Sequence, residues 1–330
     1  MTLRVGSSSV APAATFSVTT TNDTGPDSLR QAITEANASP GSDIIAFNIS
    51  GTGLTISLAS ALPDITDPVV VNGTNQPGFA GAPIVELNGA SVAAGVDGLH
   101  IVTSNCVIRG LVINRFKGNG IEIATNGFNL VEGCYIGLGL DGTTVRANTL
   151  NGILVTNSAN NIIGGTNAVG NLSDGISLIY SPHDNLIGPS NVIAFNSTGV
   201  SIVTGTNNLV TRNSIFANTS LGVSLDTSGV TDNDTGDNDT GANWKQNFPA
   251  LADAVNEAGA LTVSGTLNSK PSQEFRLEFY DNDKVDDSGY GEGRPFLGDL
   301  VVTATGQPTF SSLRSSLPRA RWICSRPSTG

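Results

Sequence analysis

Between residues 98 and 225, aliphatic and polar positions alternate in short bursts, each opened by a glycine: Gly98-Leu-His-Ile, Gly120-Ile-Glu-Ile, Gly152-Ile-Leu-Val, Gly175-Ile-Ser-Leu, Gly199-Val-Ser-Ile and Gly222-Val-Ser-Leu. An aliphatic–x–aliphatic triplet sends its outer side chains to one face and its middle one to the other, the period of a strand. The glycines lie 22, 32, 23, 24 and 23 residues apart, which predicts stacked repeats that each begin at a turn glycine. The long interval reads as a coil carrying a surface insertion at 139–148, rich in Gly, Asp and Thr.

Between the triplets an Asn recurs ahead of an apolar pair: Asn105-Cys-Val-Ile, Asn129-Leu-Val, Asn161-Ile-Ile, Asn185-Leu-Ile and Asn208-Leu-Val. Asn tolerates left-handed backbone and bonds its own turn amides. Repeated at one corner of successive coils, it can stack into a hydrogen-bonded ladder. Two or three short strands per coil, joined by Asn and Gly turns, predict an all-β, right-handed parallel β-helix.

Ahead of the ladder, Phe16 to Thr24 reads as a strand-like lead-in. Pro26 to Asn37 then reads as a helix with Leu29, Ala32, Ile33 and Ala36 on one apolar face, ended by Pro40-Gly41. A lone amphipathic helix before a solenoid serves as a cap over the terminal coil. Ile44–Phe47, Val69–Val71 and Ile84–Leu87 supply early strands. Residues 1–15 are expected to be disordered, 16–229 to form the capped helix and 230–246 an acidic linker. Leu261–Leu267, Phe275–Tyr280 and Phe296–Thr303 suggest a small antiparallel β-sandwich over 247–310. The stretch 311–330 holds 4 of the chain's 16 Lys and Arg and no strand alternation. It reads as a non-native basic tail that leaves the sandwich incomplete.

Composition narrows the function. Hydrophobic residues make up 38% of the 330 and charged ones 13%, which argues for a folded chain. A net charge of −12 disfavours nucleic acid as a partner, and a polyanionic substrate unless a cation bridges it. Cys106, Cys134 and Cys324 have no framework spacing, and the first two lie in apolar strands as buried free thiols. No run is long enough to span a membrane. Met1 to Ala14 lacks the apolar core of a secretory signal, although Val10-Ala-Pro-Ala-Ala could end a trimmed leader. No dinucleotide, P-loop, nucleophile-elbow or zinc pattern appears, so no small-molecule cofactor is expected.

The lead-in Phe16-Ser-Val-Thr-Thr-Thr, with Asp27-Ser-Leu-Arg-Gln-Ala-Ile-Thr-Glu-Ala-Asn, resembles the bacterial CSLREA-type N-terminal motif, with Asp27 in place of its Cys. Gly110-Leu-Val-Ile-Asn-Arg-Phe followed by Gly118-Asn-Gly-Ile resembles the coils of secreted β-helix proteins with a pectate-lyase-like fold. Gln246-Asn-Phe-Pro, Ser288-Gly-Tyr-Gly-Glu-Gly and Phe296-Leu-Gly resemble the sandwich that often follows such helices. The resemblance implies an extracellular or cell-surface location. It spans surface proteins as well as carbohydrate-active enzymes.

In each triplet the middle residue points outward, giving a ladder of His100, Glu122, Leu154, Ser177, Ser201 and Ser224. His100 and Glu122 should stand about 5 Å apart on successive coils. They form either an acid/base pair or an exposed ion pair. Arg109 and Glu132 stack in the same way on a neighbouring strand. With Lys117, Ser177 and Ser201 they are candidates for substrate binding. Pectate-lyase-like enzymes use a basic residue and Ca²⁺-binding carboxylates, and no trio of ladder carboxylates accompanies these basic residues. Tyr180-Ser-Pro-His183 resembles the Tyr…Asp-Pro-His pattern of β-helix alginate epimerases, with Ser181 where that pattern has Asp. It is either an acid/base pair or a turn between coils. Asp232, Asp234, Asp237 and Asp239, in a duplicated Asp-Asn-Asp-Thr-Gly, have the alternate spacing of a Ca²⁺ loop or form a solvated spacer. The sequence thus leads to a polysaccharide or cell-surface glycan as partner. Glycan binding comes with or without cleavage or epimerisation, and a non-catalytic adhesin or stalk is the alternative.

Overall fold

The computed structural model describes residues 12–226, 229–257, 260–282, 290–304, 309–311 and 321–322. Thr15–Val18 forms the first strand, and Leu29–Ala38 an α-helix that starts at Ser28, whose hydroxyl accepts a hydrogen bond from the Gln31 amide. The helix is therefore shorter than the pattern predicted. Asp27 has a left-handed φ of 59°, so Pro26 and Asp27 lie outside it. Leu29, Ala32, Ile33 and Ala36 join the core of the coils behind them.

From Asp43 the chain winds through repeated coils. Together with the lead-in strand Thr15–Val18, which pairs with Asp43–Phe47, their strands build three parallel sheets of eight, seven and six strands, in which strands pair with their counterparts on adjacent coils. One coil, for example, runs Val107–Arg109 in the first sheet, Leu111–Asn114 in the second and Ile121–Ala124 in the third. This is a parallel β-helix. The aliphatic positions of every triplet but the last, such as Leu99, Ile101, Ile121, Ile123, Ile153 and Val155, are buried, and Val223 and Leu225 of the last are partly so. Each such side chain stabilises the stack by about 2 kcal/mol.

The ladder glycines serve a purpose other than the turn conformation expected of them. None from Gly98 to Gly222 has positive φ. Instead, a Cβ on Gly120 or Gly175 would stand 2.7 Å from the carbonyl oxygen of the next coil's glycine. The coils simply approach too closely there for any side chain.

The Asn reading holds with one shift of register. Val107 pairs with Leu130, so Cys106 rather than Asn105 occupies the rung below Asn129. Asn105 takes the left-handed corner instead, with φ 61°. The Cys106 amide donates to Asn129 Oδ1 (2.9 Å), Asn129 to Asn161 (3.0 Å), Asn161 to Asn185 (2.9 Å) and Asn185 to Asn208 (3.2 Å). A second ladder, Asn148–Asn171–Asn196–Asn218, lines the corner between the second and third sheets. The insertion at 139–148 is a small hairpin closed by the bridge between Leu138 and Val145. Its Arg146 reaches the buried Glu86 on the outside of the second sheet (3.0 Å).

Past the last coil, two three-stranded antiparallel sheets enclose a core of Leu261, Val263, Leu267, Phe275, Leu277 and Phe279. The tail was expected to lack strands, yet Arg321–Trp322 pairs with Phe279 and Tyr280, on the edge of Glu274–Asp281 opposite Arg294–Thr303. Residues 312–320 and 323–330, Cys324 among them, lie outside the described residues, as do residues 1–11.

Candidate functional site

The third sheet presents the outward ladder in the expected register: His100 beside Glu122, then Leu154, Ser177, Ser201 and Ser224. Strand alternation alone puts His100 and Glu122 side by side. Their partners come from elsewhere in the coils. His100 Nδ1 lies 2.9 Å from Asp64 Oδ1, on the stretch leading to the coil beneath. Asp64 next to Nδ1 favours the tautomer with its proton there, leaving Nε2 as the acceptor.

Glu122 hydrogen-bonds to Asp97, the residue just before ladder glycine Gly98. Burial pushes the Glu122 carboxyl up to about 7, and Asp97 and Asp64 add to the rise while His100 opposes it. Asp97 also accepts from the Asn119 amide, and Gly118 is what admits it, since a Cβ there would overlap the Asp97 carboxylate. Two adjacent carboxyl groups sharing one proton, beside an imidazole oriented by a third, can give and take protons at neutral pH.

Asp64 and Asp97 escaped the sequence reading because neither lies in an outward triplet position. A signal existed: Asp97, Asn119, Asn151 and Asp174 all precede ladder glycines, and they stack. Asn151 donates to Asn119 Oδ1 (3.2 Å) and the Asp174 amide to Asn151 Oδ1 (3.1 Å).

Further along the same face the serines are less available than expected. Ser177 is 5% exposed and Ser201 8%. Asp174 takes hydrogen bonds from Ser177, Thr198 and Ser201, and burial raises its carboxyl pKa. These hydroxyls are already engaged, because small side chains on a flat parallel sheet are shielded by their neighbours.

The other candidates lie elsewhere. Arg109 and Glu132 pair with each other (3.3 Å) on the first sheet, not on the face of His100 and Glu122. Lys117 is exposed on the corner between the second and third sheets. Tyr180 is 71% exposed on a left-handed corner (φ 58°), two coils beyond Glu122. His183 turns Nδ1 to Asp184 (2.7 Å), and no described hydrogen bond joins it to Tyr180.

In the linker, Asp234, Asp237 and Asp239 bring carboxylate oxygens within 4.8 Å of one another. Asp232 is exposed and outside the group. Asp237 is buried, its oxygens accepting from the Asn247 amide (3.1 Å) and the Ser269 hydroxyl (2.5 Å).

Residues 35–244 match the family described as periplasmic copper-binding protein (NosD). The chain belongs to the NosD family. No curated protein matches it. Among solved structures, this NosD-family chain is similar to a mutant of the periplasmic alginate epimerase AlgG, at 17% identity and TM-score 0.29, over 56% of this chain and 47% of that one. It thus spans about half the length of that epimerase. It is also similar to the Dettilon tailspike protein (14% identity, TM-score 0.22, 91% and 90% covered). A third is the Geobacillus virus E2 ORF18 protein (13%, TM-score 0.25, 93% and 78%).

Copper in the family description calls for thiolate, thioether or imidazole donors. The described residues do not supply such a set. Cys106 and Cys134 are fully buried on different coils, and burial pushes their thiols up to about 11 and about 12, far from thiolate. His100 and His183 stand on separate coils, each turned to an aspartate. The chain's single methionine, Met1, lies outside the described residues.

Proposed function

We propose that this NosD-family chain works outside the cytoplasm on a polysaccharide lying along the third sheet, with Glu122 and Asp97 as the proton-sharing acid pair. His100, oriented by Asp64, serves as the base. The observation that carries this reading is the in-register His100–Glu122 rung with a carboxylate bonded to each member. Parallel coils offer an extended face about 4.8 Å per rung, which suits a linear chain of sugars. The location is supported by the family description of NosD as periplasmic and by the CSLREA-like lead-in. Protonated Glu122 would deliver a proton to a glycosidic oxygen as the bond breaks, and His100 Nε2 would take one from water or from a sugar carbon.

The competing reading is a non-catalytic adhesin or stalk, favoured by the engaged hydroxyls of Ser177 and Ser201. Incubation with a panel of polysaccharides, reading both reducing ends and unsaturated products, separates the two. The proposal expects product from at least one glycan and none with Glu122→Gln or His100→Ala. Product unchanged in both variants would remove the assigned site, and no product from any glycan would favour the stalk.

A further inference from the structure

We infer that Tyr180 is a sugar-stacking residue, holding a pyranose ring of a neutral polysaccharide two rungs along the third sheet from Glu122. The inference rests on the third-sheet function proposed above and adds the class of glycan that this face takes. Strand Ile176–Ile179 runs straight into Tyr180, and its Ser177 stands two rungs beyond Glu122, with Leu154 between them. Two rungs advance about 10 Å along the coil axis, comparable with the advance of a disaccharide in an extended chain. A ring stacked on Tyr180 and a glycosidic bond at Glu122 would thus belong to one bound strand.

Tyr180 occupies its place against local preference. At 71% exposure its ring fills no part of the core. Its φ of 58° and the 64° of Ser181 lie in the left-handed region, which bulky side chains seldom adopt. The counterpart on the coil before is Asn157 (φ 47°), a residue suited to that backbone. The corner is nevertheless held firmly. The Ser181 amide donates to Thr204 Oγ1 (2.8 Å), and the carbonyl of buried Pro182 accepts from Asn208 Nδ2 (3.0 Å). That carbonyl passes so close to Gly205 that a Cβ there would overlap it. A strained, exposed aromatic on a fixed corner stabilises nothing in the folded chain, and such an outlier points to a ligand.

The surroundings select that ligand. Asn157, Ser181, His183 and Asp184 are exposed at the same corner, so Tyr180 stands on polar ground. A protein partner would call for a contiguous apolar patch. A pyranose instead turns one face of C–H bonds to the electron-rich face of the ring, while its hydroxyls reach the polar rim. Charge then sets the class of glycan. Among the described residues, none of the third sheet's strands carries Lys or Arg, and Lys117 sits off the sheet at its opposite corner. Asp64, Asp97, Glu122 and Asp174 stand on this face or beside it. A uronate chain would meet these carboxyl groups with no guanidinium on the sheet to receive its own, whereas a neutral chain meets only hydrogen-bonding groups.

The test is affinity electrophoresis of the full chain through gels cast with hydroxyethyl cellulose, glucomannan or polygalacturonate, with the melting of each variant followed in parallel. Retardation by at least one of the two neutral glycans, and none by polygalacturonate, is expected. Tyr180→Asn should raise the apparent Kd about tenfold yet melt no lower than the wild type, because Asn suits the left-handed corner. Tyr180→Phe keeps the ring and should be retarded like the wild type. So should Phe128→Asn, which removes another exposed left-handed aromatic, on the first-sheet side of the corner. Retardation kept in Tyr180→Asn but lost in Glu122→Gln would overturn the stacking role and leave the acid pair standing. A fall in the Tm of Tyr180→Asn would mark the residue as structural and overturn the role as well. Equal retardation by polygalacturonate would overturn the neutral class, and no retardation in any gel would overturn both this inference and the function it rests on.

Discussion

Glu122 shows how position outweighs residue type. Any outward glutamate on an exposed rung would titrate in the ordinary carboxylate range, but burial and Asp97 carry this one from 4.5 to about 7. The raised pKa means that the folded state holds the proton more tightly than the unfolded chain. Its favourable contribution is complete below about pH 4.5 and fades as pH rises through about 7. Glu122→Gln should therefore flatten the fall in Tm between pH 5 and pH 8, measured by scanning calorimetry; an unchanged slope would assign that fall to other groups. Arg146 gives the opposite lesson. It anchors the insertion by pairing with Glu86, which is 2% exposed. Arg146→Ala should cost about 3 kcal/mol, because it leaves a buried charge short of a partner. Denaturant unfolding reads the loss, and a change below about 0.5 kcal/mol would show that the Glu86 bonds to Thr55 and Asn114 suffice.

At the scale of the element, the coil is held by two different kinds of ladder. Aliphatic triplets fill the interior, and asparagine stacks satisfy the corners. Asn196 accepts from both the amide and the side chain of Asn171 (2.9 and 3.1 Å). Asn196→Ala leaves two buried donors unpaired and should cost about 2–3 kcal/mol, read as a lower denaturation midpoint. An exposed Asn→Ala change at Asn22, whose backbone is not left-handed, is the control. The strands and coil period were legible because burial on one face forces alternation, and each triplet kept it. The exact rung of Asn105 was not, since Asn suits both the left-handed corner and the ladder position, and only pairing of Val107 with Leu130 separates them. The same ambiguity hid Asp97: a residue before a glycine reads as a turn until the coils are stacked.

Across the whole molecule, the two ends of the solenoid are closed by different means. The amphipathic helix covers the first coil with aliphatic side chains. The last coil is closed by hydrogen-bond acceptors supplied from beyond it. Asn243 takes the Asn208 amide (3.0 Å), Glu292 takes the Asn218 amide (3.1 Å) and Glu278 takes the Arg212 amide (3.0 Å). The linker, through Asn243, and the C-terminal module, through Glu278 and Glu292, thus add acceptors beyond the last coil and cover its final strand edges. A chain ending at residue 246 keeps Asn243 but loses Glu278 and Glu292, and should self-associate through the edges they cover, visible as oligomers by light scattering. A monodisperse monomer of that length would contradict the capping role. The sequence indicated a separate sandwich but not this dependence, because acceptors such as Glu278 and Glu292 reach the ladder only through the three-dimensional return of the chain.

The account as a whole rests on the third sheet being the face that meets a glycan. Affinity electrophoresis through gels cast with individual polysaccharides tests it most directly. The wild type should be retarded by at least one glycan. Glu122→Gln and His100→Ala should weaken that retardation, and Arg109→Ala on the first sheet should leave it intact. Retardation lost with Arg109→Ala and kept with the third-sheet variants, or absent in every gel, would contradict it.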